Sequence, residues 1–424
     1  MTLIGIVFIV LLLAGMPLAF SIGLAGMAWF LQSPLPMAIG VQKVASATQS
    51  FPLLAVPFFV LAGHLMNRTG ITDRLLTFSR VLVSWMTGGL AHVAILLSAL
   101  MGGVSGSAVA DACMEARVLG PSMIKAGYSK GYTSAVIAVG SLITATIPPS
   151  IGLILYGFVG NVSIGKLFIA GIVPGILMTL VLMLTAWRVA KARGYQPDST
   201  ELPSFRSVMK SLNDSKWALL FPILLIVFIR FGFFTPSEAG AFAVVYAVVI
   251  GFFLHRQLSW ADVRLSLKES VTDIGMIMLI IMFSAMVGYS IVFERLPQSL
   301  AQLIGGISQD PTLTLFLILG FLVIVGTVLE ATVSVLLLTP IFVPIIHTVG
   351  IDPVHFGVLL MIVITLGGMT PPVGVAMYAV CGLLKCPTDR YVIESLPFIG
   401  AVLALVAVLA IFPQVVMFLP NLLM

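Results

Sequence analysis

Long apolar runs alternate along this chain with short polar interruptions. About 20 apolar residues carry a helix across a bilayer. The pattern predicts such spans at 3–31, 50–66, 165–188, 217–234, 238–255, 270–292 and 391–419. Mixed polar and apolar segments at 67–86 and 293–309 predict interfacial arm helices. Residues 88–124 differ, because two short apolar arms flank Gly102-Gly103-Val104-Ser105-Gly106-Ser107. A re-entrant helical hairpin is predicted there, and another at 311–347. The stretches 131–158 and 354–384 are each interrupted by a Pro-Pro pair, at Pro148-Pro149 and Pro371-Pro372. Two adjacent prolines remove two donors and stop a helix, so each stretch is predicted to be a broken helix. A short loop with Pro34, Pro36 and Lys43 is expected between the first two spans.

The two Pro-Pro pairs lie 223 residues apart, and the same offset carries Gly103 to Gly326, Ser107 to Glu330 and Ala108 to Ala331. It also carries hairpin 88–124 onto 311–347. This is a repeat in pattern more than in identity. It divides the chain into 1–189, a polar loop and linking span at 190–234, and 235–424. Four crossings per unit and one linking span put the second unit on the opposite face. The expected fold class is an all-α polytopic membrane protein with inverted-topology repeats, two re-entrant helical hairpins and two broken helices.

Composition excludes the other classes. Apolar residues make up 60% and charged residues only 9%, against about 25% charge in soluble domains. A soluble globular chain, a disordered chain, a disulfide scaffold and a nucleic-acid-binding domain all fit poorly. Cys113, Cys381 and Cys386 make no disulfide or zinc pattern. Of the 21 Lys and Arg, all but Lys43, Lys166, Arg230 and Arg295 fall on one face of the expected layout. The positive-inside rule makes that face cytoplasmic, with the N-terminus inside and the C-terminus outside.

Broken helices at membrane depth expose carbonyl and N–H groups that need partners, and ions or substrates serve as partners. Sodium suits carbonyl and hydroxyl oxygens, and helix N-termini suit a carboxylate. In the first half, the pair is Ser105-Gly106-Ser107 against Thr144-Ala145-Thr146-Ile147-Pro148-Pro149-Ser150. In the second, Gly326 to Thr332 face Gly367-Gly368-Met369-Thr370-Pro371-Pro372. Close helix packing by small residues is the alternative reading. Asp111 either caps the second arm, tunes the site or ligates an ion directly. Glu330, a carboxylate inside an apolar hairpin, is a functional candidate by default; hydrogen bonding to the hairpin backbone is its other reading. His64 and His92 stand isolated and read as packing or hydrogen-bonding residues. Glu238 reads as stabilising a helix start. No phosphate loop, HExxH or GxSxG occurs, so an enzyme is not expected.

The residues at these breaks resemble the large membrane subunit of the tripartite ATP-independent periplasmic (TRAP) transporters. Matching segments include Ala14-Gly15-Met16-Pro17-Leu18-Ala19-Phe20, Phe51-Pro52-Leu53-Leu54-Ala55-Val56-Pro57, Gly102 to Asp111, Ile147 to Ser150, Thr235 to Ala239 and Thr370-Pro371-Pro372-Val373-Gly374. The resemblance implies elevator-type, sodium-coupled uptake of an organic acid such as a C4-dicarboxylate or sialic acid, with two or more sodium ions per cycle and no organic cofactor. It implies a separate small four-span subunit, a periplasmic substrate-binding protein and a bacterial inner membrane with its lipid. By that likeness, one sodium lies near Ser105, Ser107, Thr144 and Pro148, and another near Gly326, Gly367 and Thr370. Substrate lies between, near Ser105, Gly106, Ser107, Thr146, Ser150, Glu330, Thr370 and Pro372. A stand-alone sodium- or proton-coupled carrier is the alternative, with an intramembrane enzyme behind it.

Overall fold

The computed structural model describes residues 2–199, 201–307 and 310–424, with Thr2, Leu3, Ile304, Gly305 and Ile307 described by their backbone alone. The chain is helical throughout these residues. The helices are α1 (Thr2–Leu13), α2 (Leu18–Gln32), α3 (Met37–Ala47), α4 (Ala55–Met66), α5 (Ile71–Val83), α6 (Gly89–Gly102), α7 (Ala108–Val118) and α8 (Gly120–Lys125). They continue as α9 (Lys130–Gly140), α10 (Leu142–Thr146), α11 (Ile151–Val159), α12 (Ile164–Arg193), α13 (Phe205–Arg230), α14 (Pro236–Val249) and α15 (Trp260–Phe293). The last are α16 (Leu296–Ile307), α17 (Pro311–Gly326), α18 (Ala331–Thr348), α19 (Pro353–Gly367), α20 (Val375–Leu384), α21 (Thr388–Ile411) and α22 (Pro413–Leu423). Among the described residues, six helices are long and apolar enough to span a membrane, or eight when each of two bent pairs counts as one. The chain is a polytopic membrane protein.

Several boundaries differ from those the sequence predicts. The expected span at 3–31 is two helices, because Gly15 takes φ +82° and Pro17 stands ahead of α2. Only four residues join α1 to α2, and they pack along their length, so they run antiparallel. The expected loop after them contains α3. Pro36 precedes that helix, where its missing N–H is no loss; α3 meets Phe51–Met66 at a 52° bend. The polar loop predicted between residue 190 and the linking span at 217–234 is mostly helix, since α13 already starts at Phe205. Gly194 at φ +69° ends α12, and Ser204 caps α13 by accepting from the Ser207 N–H. The many charges there sit on helix ends and a connection of only 194–204, within which Thr200 lies outside the described residues. The predicted span 270–292 begins ten residues earlier, at a capping box in which Ser259 and Asp262 satisfy each other's backbone. Such a cap contributes about 1 kcal/mol. Thr235 and Glu238 form the same box at the start of α14, so Glu238 stabilises a helix start. The last predicted span breaks at Pro413 into α21 and α22. Of the predicted arm 293–309, residues 308–309 lie outside the described residues.

The 223-residue offset recurs in the helix boundaries. Ala108 opens α7 and Ala331 opens α18; Lys130 opens α9 and Pro353 opens α19. It also relates the bent α3–α4 pair to the straight α15. Both Pro-Pro bonds are cis.

Two groups of helices result. In one, α15 packs on α2, α3 and α4, α14 packs on α4, and α13 packs on α5. In the other, each helix break is wrapped by the arms of a hairpin. The arms α6 and α7 touch each other little and are joined through α9 and α10. Similarly, α19 packs against both α17 and α18. The second arms cross over: α7 packs on α20 from the other half, and α18 packs on α11. The long helices α12 and α21 flank this core.

Backbone meets backbone at the centre of the second half. A Cβ on Gly367 would lie 2.3 Å from the carbonyl carbon of Gly326, and one on Gly326 would lie 2.7 Å from the Ile364 oxygen. No flexible side chain is present to give way. Gly367→Ala is expected to destabilise the protein by roughly 1–3 kcal/mol, the usual range for overpacking. Gly382→Ala on α20, where nothing lies within 4 Å of the added carbon, should leave stability unchanged. Thermal unfolding of both variants in detergent checks this.

Candidate functional site

The two hairpin tips and both helix breaks contribute to one cavity of ≈ 390 Å³. Ser105, Gly106 and Ser107 reach it from the first tip, and Glu330, Ala331 and Thr332 from the second. Ala145, Ile151, Gly368, Met369 and Val375 border it from the breaks. The facing wall belongs to α4 and α15, through Gly63, His64, Asn67, Asp273 and Met276.

The first tip turns at Gly106, whose φ is +64°. A Cβ there would sit 2.2 Å from the Pro149 carbonyl oxygen, so tip and break touch through backbone. The Ser105 hydroxyl donates to Asp111 Oδ1 at 2.7 Å and accepts from the Ser107 N–H at 3.3 Å. Asp111 is buried, and its Oδ2 has no hydrogen-bond partner among the described residues. Thr144 donates to the Ser98 carbonyl at 3.0 Å, Thr146 to Leu142 at 3.3 Å and Ser150 to Ala145 at 2.6 Å. Ser150 also caps α11. The Thr146 and Ser150 protons therefore serve the broken helix itself and the Thr144 proton ties it to the arm α6, and Thr144, Thr146 and Ser150 do not border the cavity. The carbonyls of Ile147, Pro148 and Pro149 receive no hydrogen bond from the described residues. They are oxygen donors of the kind a hard cation takes, beside the Ser105–Asp111 pair.

At the second tip, Glu330 is the N-cap of α18. Its carboxylate accepts from the N–H groups of Thr332 at 2.8 Å and Val333 at 3.4 Å, and from the Thr332 hydroxyl at 3.1 Å. The two readings of Glu330 coincide, since the residue holds the hairpin backbone and also borders the cavity. The Val373 N–H donates to the Thr327 carbonyl at 3.2 Å, stitching the tip to the break. Thr370 donates to Leu366 at 2.7 Å, and the Pro372 carbonyl accepts from the Tyr378 hydroxyl at 3.3 Å. Gly326, Gly367, Thr370 and Pro372 belong to this junction and are not among the residues that border the cavity.

The α4–α15 wall was missed from sequence. His64 is not isolated: its Nε2 lies 2.8 Å from Asp273 Oδ2 and its Nδ1 3.4 Å from Glu269 Oε2. Arg68 holds both Glu269 oxygens at 2.8 Å. The available signal was spacing. His64 and Arg68 are four apart, as are Glu269 and Asp273, so each pair shares one helix face. His92, by contrast, is buried with neither ring nitrogen hydrogen-bonded to a side chain among the described residues. The three cysteines are free. Among the described residues, no cluster of three or more His, Cys, Asp or Glu is placed to hold a metal ion.

Converging helix breaks around one small cavity within an all-helical membrane fold define a transporter. A solved structure, the YdaH transporter of Alcanivorax borkumensis, shares this fold with TM-score 0.64 at 15% identity, over 87% of this chain and 86% of that one. Residues 5–415 match the family model of the tripartite ATP-independent periplasmic transporter, DctM component. The chain belongs to that family, as the large permease component, and it is a transporter subunit rather than an enzyme. It is 38% identical to the sialic acid TRAP transporter large permease protein SiaM of Vibrio cholerae, over 97% of this chain and 96% of that protein. It is 34% identical to the 2,3-diketo-L-gulonate TRAP transporter large permease protein YiaN of Escherichia coli, over 95% and 94%. It is 33% identical to the isethionate TRAP transporter permease protein DctMQ of Oleidesulfovibrio alaskensis, over 97% of this chain and 65% of that longer protein.

The cavity assignment separates lining from buried residues. With the native cysteines replaced by serine, single cysteines at Ala110 and Met276 should react with a polar thiol reagent within minutes. Cysteines at Thr146 and Ser150, at most 1% exposed, should resist it. Labelling rates of the purified protein measure the difference.

Proposed function

We propose that this chain is the membrane permease of a sodium-coupled, binding-protein-dependent importer of an organic acid, working by an elevator mechanism. One observation carries the reading: both hairpin tips and both helix breaks meet at one cavity. The moving body is the core of hairpins and breaks, and α2 to α5 with α13 to α16 form the scaffold. The first sodium takes the free carbonyls of Ile147 to Pro149 with Ser105 and Asp111; the second takes the Gly326–Thr370 junction. Substrate carboxylate sits in the cavity between the tips, near Ser107 and Thr332. The related permeases are named for sialic acid, 2,3-diketo-L-gulonate and isethionate, so family membership alone does not select the acid. A small four-span subunit and a periplasmic binding protein complete the system.

The protein lies in the bacterial inner membrane with its basic face in the cytoplasm, and the two halves are inverted. The antiparallel run of α1 beside α2 supports a different side for the chain start from the cytoplasmic one expected from charge. The far end of α2 carries Trp29, whose indole donates to Glu294 at 3.0 Å, beside Arg295 on the less basic face. The chain start therefore shares that periplasmic face. The C-terminal end lies there too, with Arg230 Nε donating to the Leu423 carbonyl at 2.8 Å. His64, Asn67 and Asp273 lie toward the basic end of the scaffold, so the cavity faces inward.

Proteoliposomes containing this chain, its small partner and a cognate binding protein should take up labelled acid only under an inward sodium gradient. Uptake without sodium, or without the binding protein, contradicts the reading. Ser105→Ala removes the donor to Asp111 and should raise the sodium concentration for half-maximal uptake at least several-fold, with the protein still folded.

A further inference from the structure

A second cavity of ≈ 490 Å³ lies apart from the transport site, between the arm α5, the first turns of α13 and the connection from α14 to α15. Its lining is polar and of mixed sign. Asp73 and Arg74 come from α5, Asp214 and Lys216 from α13, and His255 from the connection. Among the described residues, none of these four Asp, Arg and Lys side chains makes an ion pair. Arg74 reaches the Gly70 carbonyl at 3.1 Å and Gln257 at 3.5 Å, and Lys216 reaches the Asn213 amide oxygen at 3.0 Å. Two buried polar atoms of the lining, Ser211 Oγ and His255 Nε2, also lack partners among the described residues. His255 Nδ1 meets the Thr69 carbonyl at 2.9 Å, so that nitrogen donates and a neutral Nε2 is left as an acceptor. Leu254 lines the cavity, and exposed Phe253 and Trp260 lie close to it in sequence, apolar and aromatic side chains of the kind found at the level of lipid headgroups.

We propose that this cavity binds the headgroup of a zwitterionic aminophospholipid, a phosphoethanolamine, from the leaflet on the basic face. The chemistry selects it over other occupants. Arg74, Lys216 and the Ser211 hydroxyl donate to the phosphate. Asp73, Asp214 and His255 Nε2 accept from the primary ammonium. An anionic glycerol headgroup satisfies only the basic half. A choline headgroup carries no N–H to donate to the carboxylates. The acyl chains lie along the exposed aromatic and aliphatic residues. The bound lipid ties the arm α5 to α13 and the α14–α15 connection within the scaffold, and the proposal stands apart from the identity of the coupling ion.

The test uses the purified full-length chain, delipidated in mild detergent, and titrated separately with phosphatidylethanolamine, phosphatidylcholine, phosphatidylglycerol or sodium phosphate. Native mass spectrometry counts bound lipid, and thermal unfolding reports stabilisation. One phosphatidylethanolamine per chain should bind at least tenfold more tightly than the other two lipids. The surface variants Arg74→Gln and Lys216→Gln should each weaken that binding tenfold or more. Asp73→Asn with Asp214→Asn should abolish the preference over phosphatidylglycerol. Equal binding of all three lipids, or wild-type affinity in the Arg74 and Lys216 variants, overturns the proposal in favour of annular lipid. Competition by inorganic phosphate at matched concentration overturns the lipid as ligand.

Discussion

Everything at the centre of this protein follows from backbone that is not helical at membrane depth. Such backbone must find partners inside the protein; the second break is hydrogen-bonded to its hairpin tip through Val373 and Thr327, and the first lies against its tip at Gly106 with carbonyls left over. The approach is so close that side chains are excluded. Gly106 abuts the Pro149 carbonyl, and Gly326 lies against Gly367 and the Ile364 carbonyl. Glycine is required at these points because any Cβ would occupy the place of backbone atoms. The carbonyls left unclaimed at the first break are the donors on which the proposed ion site rests.

The two halves solve the same backbone problem with different side chains. In the first, Ser105 and buried Asp111 stand beside unclaimed carbonyls. In the second, Glu330 caps the arm, and Thr327 is stitched to Val373. The offset that carries Ser107 to Glu330 places an acid at one helix start and a hydroxyl at the other, so the cavity has unlike ends. The crossed packing of α7 on α20 and of α18 on α11 binds the halves of the core together. This crossed packing supports the proposal that the core moves as a unit.

The helix breaks were legible because Pro-Pro pairs and Gly-Ser clusters act locally, and the local chemistry of proline and glycine does not depend on context. The boundaries that went astray depend on what surrounds a segment. Gly15 and Pro17 lie in so apolar a run that composition hid the turn between α1 and α2. The charges after Arg188 indicated a loop, yet Gly194 and Ser204 confine the non-helical part to a short connection. The cavity tips Ser105, Gly106, Ser107 and Glu330 were readable from sequence. The wall opposite was not, because His64 and Asp273 are 209 residues apart and only packing of α4 on α15 brings them together. Thr144, Thr146 and Ser150 carry the right chemistry, but the Thr146 and Ser150 hydroxyls are turned to carbonyls of their own broken helix and the Thr144 hydroxyl to Ser98 on α6.

The central claim is that the hairpin–break junctions hold sodium. It is tested most directly by the thermal unfolding midpoint of the purified protein in sodium chloride, with choline chloride holding ionic strength constant. A ligand bound only by the folded state stabilises it by about 2.7 kcal/mol at a hundred times its dissociation constant. The account predicts a saturable rise in the midpoint with sodium, absent with potassium, and diminished in Gly106→Ala, where tip and break are forced apart. A midpoint indifferent to sodium, or raised equally by potassium, would contradict it.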